Sequence, residues 1–378
     1  MAKILFISNV AGKKMGSFSI SAIEAARHLN LDFYFAANLN ALSDKYEEEK
    51  KYNIKLFHID IARNPFSKNN YKAYRQLKRI INDENIDFIH CNTPTGGVLG
   101  RLIGKRCKVK KIIYQAHGLH FYHGAPIINW FVYFPIEKFL SRYTDVVVTI
   151  NEEDYEAAHK FRLKKGGFVR KINGVGIDLK NYKNIRDIKD TLSKKLSISN
   201  LDTILISVGE LNTNKNNKVV LQAMSKLGNC NIHYLLCGVG NRQGELETLA
   251  ATLGISKQIH FLGYCENIPE LLNASDIFIM PSYREGLSRS IMEAMAVGLP
   301  CIVSKIRGNV DLITEGQGGL LVPPDEVDGF AEAIDTLVKD QNLREKMTLY
   351  NLQRIEEFSA ENIKSKLISL YKETFNIK

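Results

Sequence analysis

Two carboxylates, Glu285 and Glu293, are separated by seven residues in the run EGLSRSIMEAMAVGLP. A carboxylate offers two acceptor oxygens, enough for both hydroxyls of a vicinal diol, and the free backbone N–H groups at a helix start attract a diphosphate. One such stretch can hold the sugar, the phosphates and the ribose of a nucleotide sugar together. The apolar run Ala274 to Pro281 reads as a buried strand, and Glu293 is flanked by Met292, Ala294, Met295 and Ala296. The pattern predicts a strand-to-helix junction, the place where open α/β sheets bind ligands. The same residues allow a structural alternative: Ser290 with Glu293 three positions on also fits a capping box, in which Glu293 caps its own helix.

The elements that must position these groups alternate regularly. In the first half the expected strands are Ile4 to Ser8, Leu31 to Ala36, Lys55 to Asp60, Phe88 to Cys91, Lys111 to Ala116 and Asp145 to Ile150, interleaved with amphipathic segments such as Tyr71 to Asn82. The second half repeats the scheme with Thr203 to Gly209, Ile232 to Gly238, Ile259 to Gly263, Ala274 to Pro281, Pro300 to Ser304 and Gly319 to Val322. Alternation of this kind implies parallel sheets covered by helices on both faces. The seam falls in Lys171 to Tyr182 (KINGVGIDLKNY), where glycines and polar residues interrupt both periodicities, giving domains over 1–175 and 176–358. The pattern of a closing helix, about Ala360 to Phe375, would suit either domain; residues 359–378 are expected to pack back toward the first.

The chain has 378 residues, 45% of them hydrophobic, which excludes disorder and suits two domains. Its six cysteines are scattered without a C-x-x-C pair, and Met1-Ala2-Lys3 runs straight into a strand, so reduced thiols and a cytoplasmic location are expected. No uncharged apolar run approaches the roughly 18 to 20 residues that span a bilayer. Residues 1–175 carry 28 Lys+Arg against 16 Asp+Glu, whereas the remainder is close to neutral. Much of the excess lies between Arg63 and Lys111 and predicts either a face for an anionic surface such as phospholipid, or a solvated face. Nucleic acid is disfavoured, because zinc-finger spacing, an RNP aromatic signature and a basic region with heptads are all missing. Gly238-Val-Gly240 with Gly244 approaches a dinucleotide fingerprint, but its third glycine is one position late, so it reads as an ordinary strand-to-helix turn. The aromatic stretch Phe121 to Phe134, with the single tryptophan Trp130, suits either core packing or an interface with lipid.

The segment HGLHFYHGAPIINWFVYFPIEKFLSRYTDVVVTINEEDYEAA, with VGELNTNKNN and EGLSRSIMEAMAVGLPCIVS, resembles the retaining glycosyltransferases of family 4, in particular the subgroup that builds bacterial capsular and exopolysaccharide repeat units. The resemblance covers nearly the whole chain. It implies a GT-B fold: two Rossmann-like domains with parallel sheets facing across a cleft, the first binding acceptor and the second a nucleotide sugar. By the same resemblance Glu285 would contact hydroxyls of the donor sugar and Glu293 the ribose. Gly286, Leu287 and Ser288 would present amides to the diphosphate, with Arg289 adding a side-chain contact.

Lys215 matches the family's diphosphate-binding lysine. Many members place an arginine directly after the strand's closing glycine, Gly209 here, but this chain has Glu210, which cannot hold a phosphate; Asn212 or Asn214 would partly substitute through amide donors. His117 matches the active-site histidine, and Gly12 and Gly16 fall in the family's glycine-rich loop. His120 and His123 follow at three-residue steps and invite a metal reading, but no carboxylate or cysteine completes a shell and the family requires no metal, so neither metal nor other cofactor is expected.

The activity so implied is transfer of a sugar, from a UDP-sugar, to a glycan carried on polyprenyl diphosphate, at the inner face of the cell membrane. A nucleotide-sugar epimerase of the same architecture and a non-catalytic sugar-nucleotide-binding protein are the alternatives.

Overall fold

The computed structural model describes residues 1–182 and 188–377, which form two compact units. The first comprises Met1–Gly176 with Ala360–Lys378, and the second Ile177–Ser359. The division at Gly176 falls within the glycine-interrupted seam.

Runs of β-branched and aliphatic residues make the strands of two wholly parallel sheets. In the first unit β1 (Lys3–Val10), β2 (Asp32–Asn38), β3 (Lys55–His58), β4 (Phe88–Asn92), β5 (Lys111–Gln115), β6 (Val146–Thr149) and β7 (Phe168–Lys171) are ordered β3-β2-β1-β4-β5-β6-β7. In the second, β8 (Thr203–Val208), β9 (Ile232–Cys237), β10 (Ile259–Gly263), β11 (Ile277–Met280), β12 (Cys301–Ser304) and β13 (Gly319–Val322) are ordered β10-β9-β8-β11-β12-β13. Both sheets are apolar on both faces, as sheets covered by crossover helices must be. Ile4 and Phe6 pack with the helices Ser17–His28 and Ala360–Phe375, whereas Leu5 and Ile7 pack with Lys68–Asp83 and Pro94–Cys107.

Twelve strands coincide with the expected runs to within a few residues. The exception, β7, is an edge strand of sequence FVRK whose half-exposed basic residues give no apolar run to detect. The closing helix Ala360–Phe375 lies in the first unit, burying Ile363, Leu367, Leu370 and Tyr371, and Phe375 stacks on Phe88 at 3.9 Å. In each sheet the strand order reverses once, between β1 and β4 and between β8 and β11, and such switch points open a crevice at the carboxyl ends of the two strands. No helix among the described residues is long and apolar enough to cross a membrane.

Candidate functional site

The loops that follow β8 and β11 flank the second unit's switch point, and each delivers one partner of an ion pair. Lys215 ends a 3-10 turn, Thr213–Lys215, after β8; Glu285 lies between β11 and the helix Arg289–Ala296. Lys215 Nζ donates to Glu285 Oε1 at 2.7 Å, with the two side chains 20% and 15% exposed. Sequestered this far from water, the pair attracts more strongly than an exposed one. The ammonium also lies 3.8 Å from Met280 Sδ, and the Ser288 and Ser290 hydroxyls approach the same sulfur at 3.5 and 3.6 Å. A cation, a carboxylate and two hydroxyls therefore converge at the mouth of the sheet.

The asparagines build the lysine's loop. Asn212 Oδ1 accepts from the Lys215 backbone N–H at 3.1 Å, while Asn214 Nδ2 donates to the Arg284 carbonyl at 3.0 Å and its own carbonyl accepts from Tyr283 N–H at 2.8 Å. Asn214 thus ties the Lys215 loop to the Glu285 loop. Gly209 lies against the lysine stem, its missing Cβ only 3.1 Å from Lys215 Cε, and Glu210 is exposed. The glycines of Gly238-Val-Gly240 have a packing reason: a Cβ on either would meet the Gly209 or Leu211 carbonyl oxygen at 1.9 or 2.1 Å. Gly244 meets nothing within 4 Å.

Glu293 does not close a capping box. The helix begins after Ser288, not Ser290, so Glu293 is too far along it to reach its start. Instead its Oε1 accepts from Tyr182 Oη at 2.9 Å and from Arg289 Nε at 3.0 Å. Arg289, expected on the diphosphate, is occupied in part by this carboxylate. Ahead of the helix, Gly308 (φ +81°) backs the Gly286–Ser288 turn: a Cβ there would lie 2.2 Å from the Gly286 carbonyl oxygen. Tyr182 and Gly308 escaped the sequence reading. Tyr182 falls in the seam, where a tyrosine looks like punctuation, and Gly308 is a lone glycine whose reason is a non-local contact.

His117 and Gly12 belong to the first unit. His117 follows β5, and its Nε2 is buried with no hydrogen-bond partner among the described residues. Burial pushes this imidazole down to about 4 and that of His90, on β4, down to about 3, so both are neutral at pH 7. The Phe18 ring stands edge-on to both, at 5.3 and 5.9 Å, and His90 Nδ1 pairs with Tyr371 Oη at 2.7 Å. Gly12, after β1, is exposed with room for a side chain. At the same switch point Thr93 adopts φ +68°, unusual for a β-branched residue, and its hydroxyl donates to Asn9 Oδ1 at 2.7 Å. His120 stacks on Tyr133 at 4.4 Å, and among the described residues no group of three or more His, Cys, Asp or Glu gathers to hold a metal.

The basic tract needs one correction. Arg101, counted with the expected anionic-surface face, is wholly buried, its guanidinium paired with both oxygens of Glu137 at 2.7 and 3.1 Å and lying 3.8 Å from the Tyr114 ring centroid. Arg63, Lys68, Arg75, Lys78, Arg79, Lys105, Arg106 and Lys108 are exposed.

Residues 3–154 match the model of the glycosyl transferase 4-like family and residues 188–354 that of glycosyl transferases group 1. EpsD of Bacillus subtilis (strain 168), named as a glycosyltransferase, is 34% identical over 374 residues, covering 98% of this chain and 96% of its own. An Escherichia coli relative, named UDP-Gal:α-D-GlcNAc-diphosphoundecaprenol α-1,3-galactosyltransferase, is 27% identical and covers 72% of this chain and 71% of its own. In fold the chain is similar to Anabaena Alr3699/HepE, solved in complex with UDP, with a TM-score of 0.79 at 19% identity and coverage of 98% and 100%. The chain therefore has the GT-B fold and belongs to the group 1, type 4-like glycosyltransferases.

Proposed function

We propose that this glycosyltransferase moves a sugar from a UDP-sugar, with retention of anomeric configuration, to a hydroxyl of a glycan carried on polyprenyl diphosphate, in capsule or exopolysaccharide assembly. The observation that carries the reading is the Lys215–Glu285 pair at 2.7 Å beside the Gly286–Ser288 turn. In it, Lys215 and the amides of Gly286, Leu287 and Ser288 neutralise the diphosphate, Glu285 takes hydroxyls of the donor sugar, and Glu293 takes the ribose diol. Arg289 and the amides of Asn212 and Asn214 assist at the diphosphate. His117, neutral at pH 7, offers a hydrogen bond to the transferred sugar. The acceptor oxygen bonds to the anomeric carbon as the bond to the diphosphate breaks, and the acceptor proton passes to the departing diphosphate. Positioning and leaving-group stabilisation then supply the catalysis, without metal or other cofactor. The E. coli relative's name, with its UDP-sugar donor and undecaprenyl-linked acceptor, supports both substrate classes.

Membrane association is part of the same proposal. The helix Ile127–Leu140 exposes Ile127 (75%), Ile128 (60%) and Phe131 (73%), an apolar face suited to a lipid interface beside the exposed lysines and arginines.

A panel of UDP- and GDP-sugars, with UDP and GDP alone, tests the donor by protection against thermal unfolding. Ligand at about 100 times its dissociation constant should add about 2.7 kcal/mol. Stability unchanged by any of them overturns the reading. Conversion of a UDP-sugar with no acceptor present would favour an epimerase instead.

A further inference from the structure

Tyr182 lies in a 3-10 turn, Leu179–Tyr182, near the start of the second unit. Its ring is buried in the core with Ile291, Met292 and Met295 of the glutamate-bearing helix. Packing alone would be met by phenylalanine. The hydroxyl, however, donates to Glu293 Oε1 at 2.9 Å, and burial together with that carboxylate pushes the phenol's pKa up, so it remains a donor at any pH at which the protein works.

Arg289 Nε donates to the same oxygen at 3.0 Å from a side chain 56% exposed. With one partner more than half exposed, this pair is screened more than the Lys215–Glu285 pair and holds the carboxylate less firmly. Tyr182 approaches from the buried side, where its own rotamer is fixed by packing. Two donors on one oxygen set the plane of the carboxylate, and among the described residues Glu293 makes no other hydrogen bond or ion pair, which leaves Oε2 for a ligand.

We infer that Tyr182 is a positioning residue for nucleotide recognition, clamping Oε1 of Glu293 so that Oε2 meets the ribose diol of a nucleoside diphosphate. The inference rests on the reading of Glu293 as the ribose ligand. A carboxylate preset by a buried hydroxyl need not be ordered on binding, so the gain appears as affinity for ligands that carry the diol.

The test is binding of UDP and of 2′,3′-dideoxy-UDP to the wild-type chain, Tyr182→Phe, Glu293→Gln and the double variant. Tyr182→Phe should keep its melting temperature, lose roughly 3- to 12-fold in UDP affinity, and bind the dideoxy nucleotide as the wild type does. In the Glu293→Gln background the same substitution should add little, because its effect runs through the carboxylate. Unchanged UDP affinity in Tyr182→Phe overturns the inference, and so does an equal loss for both nucleotides, which is what a packing role alone would give. Failure of the wild-type chain to bind UDP would instead remove the functional reading, and the inference with it.

Discussion

At the scale of single residues, charge pairing and chain position make different predictions for the two site glutamates. Lys215 is held by Glu285, so a diphosphate must compete for an ammonium that already has a partner. Lys215→Ala should lower turnover about 10- to 1000-fold, the loss of a charged contact worth roughly 1.5 to 4 kcal/mol, measured by initial rates at saturating donor. Near-normal rates would mean that another group holds the diphosphate. Glu293→Gln keeps a side chain that can accept from Tyr182 and Arg289 but loses its charge, so nucleotide affinity should fall while the melting temperature barely moves. Lower stability with unchanged affinity would return Glu293 to a structural role. Spacing singled out Glu285 and Glu293, and the family resemblance singled out Lys215, which the structure brings against Glu285. Tyr182 was singled out by neither, because its contact spans 111 residues and no local pattern marks it.

At the scale of elements, the periodicities located twelve of the strands, because strands buried on both faces read as continuous apolar runs. Periodicity says nothing about which buried groups are polar, and two pairs of such groups carry consequences. Arg101 on the helix Pro94–Cys107 and Glu137 on the helix Ile127–Leu140 form the ion pair that ties these helices together. Arg101→Ala strands a buried carboxylate and should cost about 3 to 5 kcal/mol in denaturant unfolding, whereas Arg101→Met combined with Glu137→Leu should cost much less. Equal losses for the two variants would show that packing, not the stranded charge, sets the cost. His90 on β4 and His117 after β5 titrate near 3 and 4 in the fold but near 6.5 when unfolded. Between those limits the unfolded chain binds more protons, so stability is complete above about pH 6.5 and falls as the pH drops toward 4. Each histidine should contribute a slope of up to about 1.4 kcal/mol per pH unit in that window. His90→Gln, which retains a partner for Tyr371, should flatten the curve; parallel curves for variant and wild type would show that His90 is not held neutral.

At the scale of the whole molecule, composition allowed either a face for an anionic surface or a solvated face, and did not say which residues form it. The sequence offered a basic tract and an aromatic stretch as separate features, and linear order could not reveal that Arg101 turns inward to anchor the aromatic helix. With Arg101 removed from the basic face, Lys105 and Arg106 remain exposed near the end of the same helix that holds it, and the anchored partner exposes Ile127, Ile128, Phe131 and Phe139. On the proposed membrane surface these would be two binding terms with different salt dependence. Each basic residue near an acidic bilayer should contribute about 1 kcal/mol, screened as ionic strength rises, while burial of the apolar side chains follows area and survives salt. Vesicles of acidic phospholipid should therefore sediment the protein strongly at low salt and leave a smaller fraction bound at high salt. Replacing Lys105, Arg106, Lys108 and Lys110 by Gln should shrink the salt-sensitive part, replacing Ile128 and Phe131 by Ser should shrink the resistant part, and neither should change UDP affinity, since both lie in the other unit from the proposed nucleotide-site residues. Equal recovery in the supernatant with neutral and acidic vesicles at low salt would show that the basic face serves another anion, with the diphosphate of the acceptor the next to test.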